Sequence, residues 1–230
     1  MERNTAKRTL EKLLSVCICL CMLGAMLPAQ VFAEEADTAQ TETVQDTAPK
    51  DTFYLSSADD LIQLAKNCRL DSWSQNRTVV LEADINLSGV DFNGIPSFGG
   101  TWEGQNHAIT GLSLSQDGSV QGLFRYVQQG ALVRDMTVKG RIKPGGTRAS
   151  VGGIAGSNAG TIENCAFDGV VSGTSQIGGI AGVNTVKGSI NGCTVSGTVY
   201  GSHFVGGVVG QNDGVAANCT NAASVNTTVS

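Results

Sequence analysis

Apolar and polar positions alternate in short runs along most of this chain, and most of the runs are too brief for helices. TVVLEADINL (78–87) is β-branched and alternating, which predicts a strand. GTWEGQNHAITGLSL (100–114) reads as a turn followed by alternation through Ile109, Leu112 and Leu114. FYLSSADDLIQLAKNCRLD (53–71) differs. Leu61, Leu64 and Ala65 fall on one helical face there, and Ser57 with Asp60 three residues on forms a start resembling a capping box. This predicts one short helix near the start of the folded region.

From residue 120 the pattern repeats. VQGLFR begins at Val120, VGGIAG at Val151, IGGIAG at Ile177 and VGGVVG at Val205, at spacings of 31, 26 and 28 residues. A second block keeps phase with the first: VRDMTVKG from Val133, IENCAFDG from Ile162, INGCTVSG from Ile190 and AANCTNAA from Ala216. Met136, Cys165, Cys193 and Cys219 share one column, and Asn158, Asn184 and Asn212 mark the interval between blocks. One such unit cannot bury its own apolar side chains. Stacked units can, with backbones paired about 4.8 Å apart and equivalent side chains in interior ladders. Leu123, Ile154, Ile180 and Val208 predict one ladder, and Val133, Ile162 and Ile190 another. The expected fold is all-β, a parallel β-helix with a short N-terminal capping helix. An antiparallel β-sandwich is the runner-up.

Composition narrows the class further. Of 30 Gly, 29 lie in the last 142 residues, which argues against helix there because each interior Gly costs about 1 kcal/mol relative to Ala. The formal charge of −5 carries no basic nucleic-acid footprint, and only two His, His107 and His203, are available for chemistry. Residues 1–33 combine Arg3, Lys7, Arg8 and Lys12 with an apolar run (Leu13 to Leu27) and the small-residue ending Val31-Phe32-Ala33, which predicts a secretory signal peptide. Residues 34–51 are acidic and lack apolar content, which predicts a disordered spacer. Residues 52–119 then form an N-terminal cap with lead-in strands, and 120–230 the repeats, the last one incomplete. No membrane span is expected in the mature chain.

The VGGIAG…N…G…I-x-N-C cadence resembles the GLUG repeat of bacterial secreted and cell-surface proteins. The segment LEADINLSGVDFNGIPSFGGTWEGQNHAITGL from Leu81, followed by VQGLF, is similar to the lead-in region before such repeats. The resemblance spans about residues 52–222 and implies a right-handed β-helix, an adhesin-like surface protein or an accessory region of an immunoglobulin-cleaving protease. The last unit decays into NAASVNTTVS without an L-P-x-T-G sorting signal, so the expectation is either release or continuation into a longer protein.

The scaffold also hosts pectin-degrading enzymes, which work through clustered acids and a basic residue. Arg141-Ile142-Lys143 matches a polygalacturonase tripeptide, yet no N-T-D or G-H-G precedes it. Carboxylate pairs suited to sugar hydrolysis stand about 5–9 Å apart, and the candidates are Asp135 with Glu163 and Asp168. Glu103 and His107 flank one turn. All read better as solvated turn residues than as an acid/base pair. The mature chain retains Cys68, Cys165, Cys193 and Cys219. Stacking predicts a buried thiol ladder for the last three, without disulfide or zinc; their redox state is open. The Asn column could bind a ligand, but reads better as structural turn positions, where Asn tolerates left-handed backbone and can hydrogen-bond neighbouring backbone. Trp73, Trp102, Tyr126 and Tyr200 are the aromatic candidates for stacking on a sugar, with Trp102 expected in the core. No catalytic or metal residue is assigned, no cofactor is expected, and the ligand-binding residues are unknown at this level. The expected role is a non-catalytic secreted or cell-surface module that binds a host or environmental glycan or matrix protein, or acts as a rigid spacer. The uncovered final unit predicts self-association. The alternatives are a polysaccharide lyase or hydrolase, or an accessory region of a surface protease.

Overall fold

A computed structural model describes residues 50–145 and 149–227. The predicted signal peptide and residues 34–49 of the predicted spacer lie outside them. Lys50 and Asp51, the last two spacer residues, already belong to the first strand, Lys50–Leu55.

The chain winds into a parallel β-solenoid of about 6 turns. One coil shows the plan. Thr161–Glu163 lies on a first face, Ala166–Ser172 on a second, Ser175–Gly178 on a third and Ala181–Asn184 on a fourth. The chain then returns to the first face at Ser189–Asn191, one level on. The first face begins with Lys50–Leu55 and Arg77–Leu81, so stacking starts well before the sequence repeats become visible. The helix, Ala58–Asn67, sits between those two strands in sequence. Ser57 caps it: its hydroxyl accepts from the Asp60 amide at 3.2 Å. Asp60 completes the box, accepting from the Ser56 amide at 3.0 Å and the Ser57 hydroxyl at 2.8 Å.

Both predicted ladders are present. Val133, Ile162 and Ile190 pair in register, and Trp102 and Val79 continue the column toward the N-terminus. Ile154 donates its amide to the Ile180 carbonyl at 3.0 Å, and Ile180 to that of Val208 at 2.9 Å. At the N-terminal end Trp102, Phe98 and Phe124 fill the interior with ring centroids 5.2–6.2 Å apart. Toward the C-terminus Trp102 gives way in register to Val133 and Ile162, Phe124 to Ala155 and Ala181, and Phe98 to Val127 and Asn158.

Glycine shapes the second face. A Cβ on Gly169 would run into the Gly140 carbonyl oxygen one coil below, and one on Gly197 into that of Gly169. Both have left-handed φ, +151° and +93°. At Gly169 and Gly197 the positive φ and the close carbonyl below leave room only for Gly.

Two expectations are corrected. The repeats align Val120 with Val151, but the structure pairs Val120 with Ser150 and Gln121 with Val151. Gln121 is therefore drawn into the interior, its Nε2 buried without a hydrogen-bond partner. Step is restored at Phe124, which pairs with Ala155. The second correction concerns Val208, which is only partly buried. It lies in the last described coil, where Phe204 is 65 % and Val215 61 % exposed and Asn221 stands in the interior column of Val138, Phe167 and Val195.

Candidate functional site

Of the carboxylates singled out from the sequence, Glu103, Asp135 and Asp168 each bond a side chain of an adjacent coil, and Arg134 Nε, bonded to Glu103, also lies 3.8 Å from Asp135 Oδ2. Arg134 clamps Glu103 through two parallel bonds, Nε to Oε2 at 2.7 Å and Nη2 to Oε1 at 2.9 Å, across adjacent coils in register. Hydrogen bonding to Glu103 raises the Arg134 pKa further. Asp135, at φ +57°, accepts from the Asn164 amide at 3.1 Å, and Asp168 from the Ser196 hydroxyl at 2.8 Å. Glu103 and His107 do not meet as a pair: His107 Nδ1 lies 3.1 Å from Asp84 Oδ1. The Ala108 amide also bonds Asp84, and these two contacts hold that carboxyl below its ordinary pKa, the amide contributing most. Asp84 was not singled out from the sequence, since its partner is 23 residues away. In the tripeptide, Ile142 is buried while Arg141 and Lys143 face solvent. Among the described residues no group of three or more His, Cys, Asp or Glu is placed to hold a metal ion.

The two polar columns are structural. Cys68, Cys165, Cys193 and Cys219 are free thiols, the first three buried and Cys219 half-buried. Their sulfurs bond neighbouring carbonyls, Cys165 Sγ donating to Glu163 O at 3.2 Å and Cys219 Sγ to Ala217 O at 3.1 Å. The contact with Cys193, together with burial, pushes the Cys165 thiol well above its ordinary pKa. The asparagines bond neighbouring backbone as expected, but their conformation corrects the reading. Asn158 and Asn184 are fully buried at strand ends and are not among the residues with left-handed φ; Asn76, Asn106, Asn164 and Asn218 are. Asn158 and Asn184 build an amide ladder instead. Asn158 Nδ2 donates to Asn184 Oδ1 at 2.8 Å, and Asn184 Nδ2 to Asn212 Oδ1 at 2.8 Å. They also satisfy turn carbonyls, at Gly160 and Gly188.

Of the aromatic candidates, Trp102 is buried in the core. Trp73 packs edge-on against Phe53 at 5.6 Å, with the Arg77 guanidinium 4.7 Å from its ring centroid. Tyr200 is half-buried. Tyr126 is 48 % exposed on the outside of the fourth face. Its neighbours in adjacent coils are Ser97 and Ser157, so no large side chain stacks above or below it.

Tyr126 borders an open groove of about 710 Å³, whose walls include Gln75, Gln128, Ser97 and Arg125. Gln128 fixes the floor: its Nε2 donates to the Asp71 carbonyl at 2.8 Å and to Ser97 Oγ at 2.7 Å, and its Oε1 accepts from Gln75 at 3.0 Å. Arg125 and Pro96 also line a second cavity of about 270 Å³ between the helix and the fourth face, together with Lys66 and Arg69. The two spaces therefore share a wall. Sequence reasoning found Tyr126 but not Arg125, Lys66 or Arg69, which come from separate segments. A signal did exist: Arg125 stands where the later repeats carry Gly156, Gly182 and Gly210.

A family model described as the GLUG motif matches residues 147–172. The chain is 32 % identical over 167 residues to halomucin of Haloquadratum walsbyi; the match covers 66 % of this chain and 2 % of that protein's length. In fold it resembles the crystal structure of a candidate immunoglobulin A1 protease from Bacteroides ovatus, with a TM-score of 0.55 and 20 % identity over 80 % of this chain and 68 % of the other.

Proposed function

We propose that this GLUG-motif protein is a cell-surface β-solenoid module that binds ligands along its exterior and performs no catalysis of its own. One observation carries the reading. Outward polar side chains pair between adjacent coils: Glu103 with Arg134, Asp135 with Asn164, Asp168 with Ser196, and Asn191 with Asn218. Groups satisfied in this way stiffen a surface; they do not converge on a reacting atom. The likeness to halomucin supports surface display, as does the predicted signal peptide. No helix among the described residues is long and apolar enough to cross a membrane.

An array of glycans and matrix proteins probed with the purified protein tests the reading. Reproducible binding to a restricted set is expected; silence across the array overturns ligand binding and leaves a spacer. The exposed apolar groups of the last described coil support self-association as well. Sedimentation velocity checks that part, and a single monomeric species at every concentration counts against it. A second reading, an accessory region of a larger protease, is favoured by the fold likeness to the Bacteroides ovatus structure. Cleavage of immunoglobulin A1 by the purified protein would replace the first reading with an enzymatic one.

A further inference from the structure

The cavity beside the helix concentrates positive charge in a chain whose net formal charge is −5. Lys66 lies in the helix's last turn and Arg69 just beyond its cap. Arg125 reaches the same space from the strand Phe124–Val127 on the fourth face. Among the described residues none of these three side chains has a hydrogen bond or an ion-pair partner. Asp91 also lines the cavity, but none of the three approaches it within ion-pair distance. Arg125 Nε is buried with no acceptor in the protein. A buried, unpaired guanidinium nitrogen is costly, and it is tolerated where a ligand supplies the missing acceptor.

The space has a structural origin. The third face starts only at Val120–Gln121, so the preceding coil has no strand there. In later coils the position of Arg125 is closed: a Cβ on Gly182 would meet the Val151 amide nitrogen at 2.5 Å, and one on Gly156 the Gln121 nitrogen at 2.9 Å. From this coil onward, only this one leaves room for a long side chain at the position; the preceding coil carries Pro96 there.

Resting on the ligand-binding reading above, we infer that the cavity and the adjoining groove bind an acidic saccharide. Its carboxylate or sulfate would sit among Arg125, Lys66 and Arg69, and a sugar ring would lie against Tyr126. The Arg fork matches a planar or tetrahedral oxyanion through paired N–H donors. The cavity volume, about 270 Å³, lies near the lower end of small-ligand pockets, roughly 300–1,000 Å³, and so suits one residue of a chain. The open groove then carries the saccharide outward past the uncovered tyrosine ring. An acidic peptide is the weaker fit, because the groove offers no unpaired strand edge to extend: the fourth-face strand Phe124–Val127 is paired on both sides, to Ile95–Phe98 and to Ala155–Asn158.

Calorimetric titration of the full protein with three tetrasaccharides tests the inference: hyaluronan (carboxylates only), sulfated chondroitin (carboxylates and sulfates) and chitotetraose (neutral). The expected result is binding of one or both acidic probes and none of the neutral one. Hyaluronan binding identifies carboxylate as sufficient; binding of chondroitin sulfate alone identifies the sulfate. Arg125→Gln should weaken binding about tenfold or more, the size of one lost charge-assisted pair. Tyr126→Ala should weaken it several-fold, with thermal midpoints of both variants checked against the parent. Lys139→Gln, on the outside of the second face, should leave binding unchanged. Failure of both acidic probes to bind, equal binding of chitotetraose, or equal losses in R125Q and K139Q would each overturn the inference. If the array shows a restricted ligand set whose binding R125Q does not affect, the general reading survives and this site does not.

Discussion

At the scale of single residues, burial decides which polar groups matter. Asn184 is fully buried and bonds both Asn158 and Asn212, whereas Asn212 is exposed and water can replace what it loses. Asn184→Ala should therefore cost roughly 1–3 kcal/mol and Asn212→Ala less than about 1 kcal/mol. Urea unfolding midpoints check the order, and equal losses would contradict the ladder. Burial also pushes the Cys68 thiol up to about 11 from 9.0, a hydrogen bond from Ser74 only partly opposing it. The folded state holds that proton more tightly than the unfolded chain. Its contribution to stability is thus intact below pH 9 and lost as pH rises toward 11, by an amount on the order of 2–3 kcal/mol. Chemical unfolding from pH 8 to 11 should show the decline in the parent protein and a flatter profile in Cys68→Ala.

At the scale of elements, the second face depends on a backbone that only glycine provides. Gly169→Ala should cost at least roughly 1–3 kcal/mol, because it combines a strained φ with a collision against the Gly140 carbonyl. Thermal unfolding measures this, and an unchanged midpoint would show that the two strands can move apart freely. The elements were also what the sequence displayed best. The Ser57–Asp60 cap, the helix and the ladders through Val133 and Leu123 follow from period and spacing, which are local or strictly repeated. The one-residue slip at Val120 did not, because it depends on how Gln121 fits an interior that no local pattern describes. The asparagine column was visible but misassigned: asparagine suits both left-handed turns and buried amide ladders, and only the register separates them. The candidate groove was the least legible part. Its cations lie in different coils, and only the substitution of Arg125 for a recurrent glycine hinted at it.

At the scale of the whole molecule, each coil is stabilised by its neighbours on both sides, and the last described coil lacks one of them among the described residues. Its strands His203–Gly206, Val209–Asn212 and Val215–Ala217 hold no fully buried residue, whereas Ser150–Gly152 is buried throughout. Stability in such a stack is a sum of coil and interface terms, so it should fall toward that end. Amide hydrogen exchange should be faster across 203–217 than across 150–184. Uniform protection over both stretches would mean that the stack unfolds as one unit.

The winding itself sets a scale of length. Every turn brings the chain back to the same side, one strand spacing of about 4.8 Å farther along. The spacings of 31, 26 and 28 residues are absorbed between strands, in connections such as 185–188. Gaining or losing a whole turn would thus leave the outline of the rod unchanged and alter only its reach. Because the pocket beside the helix is built from the earliest turns, it would keep its shape whatever the number that follow. A solenoid of this design can vary its length in uniform increments, like the graduations of a measuring staff, without redesigning that pocket.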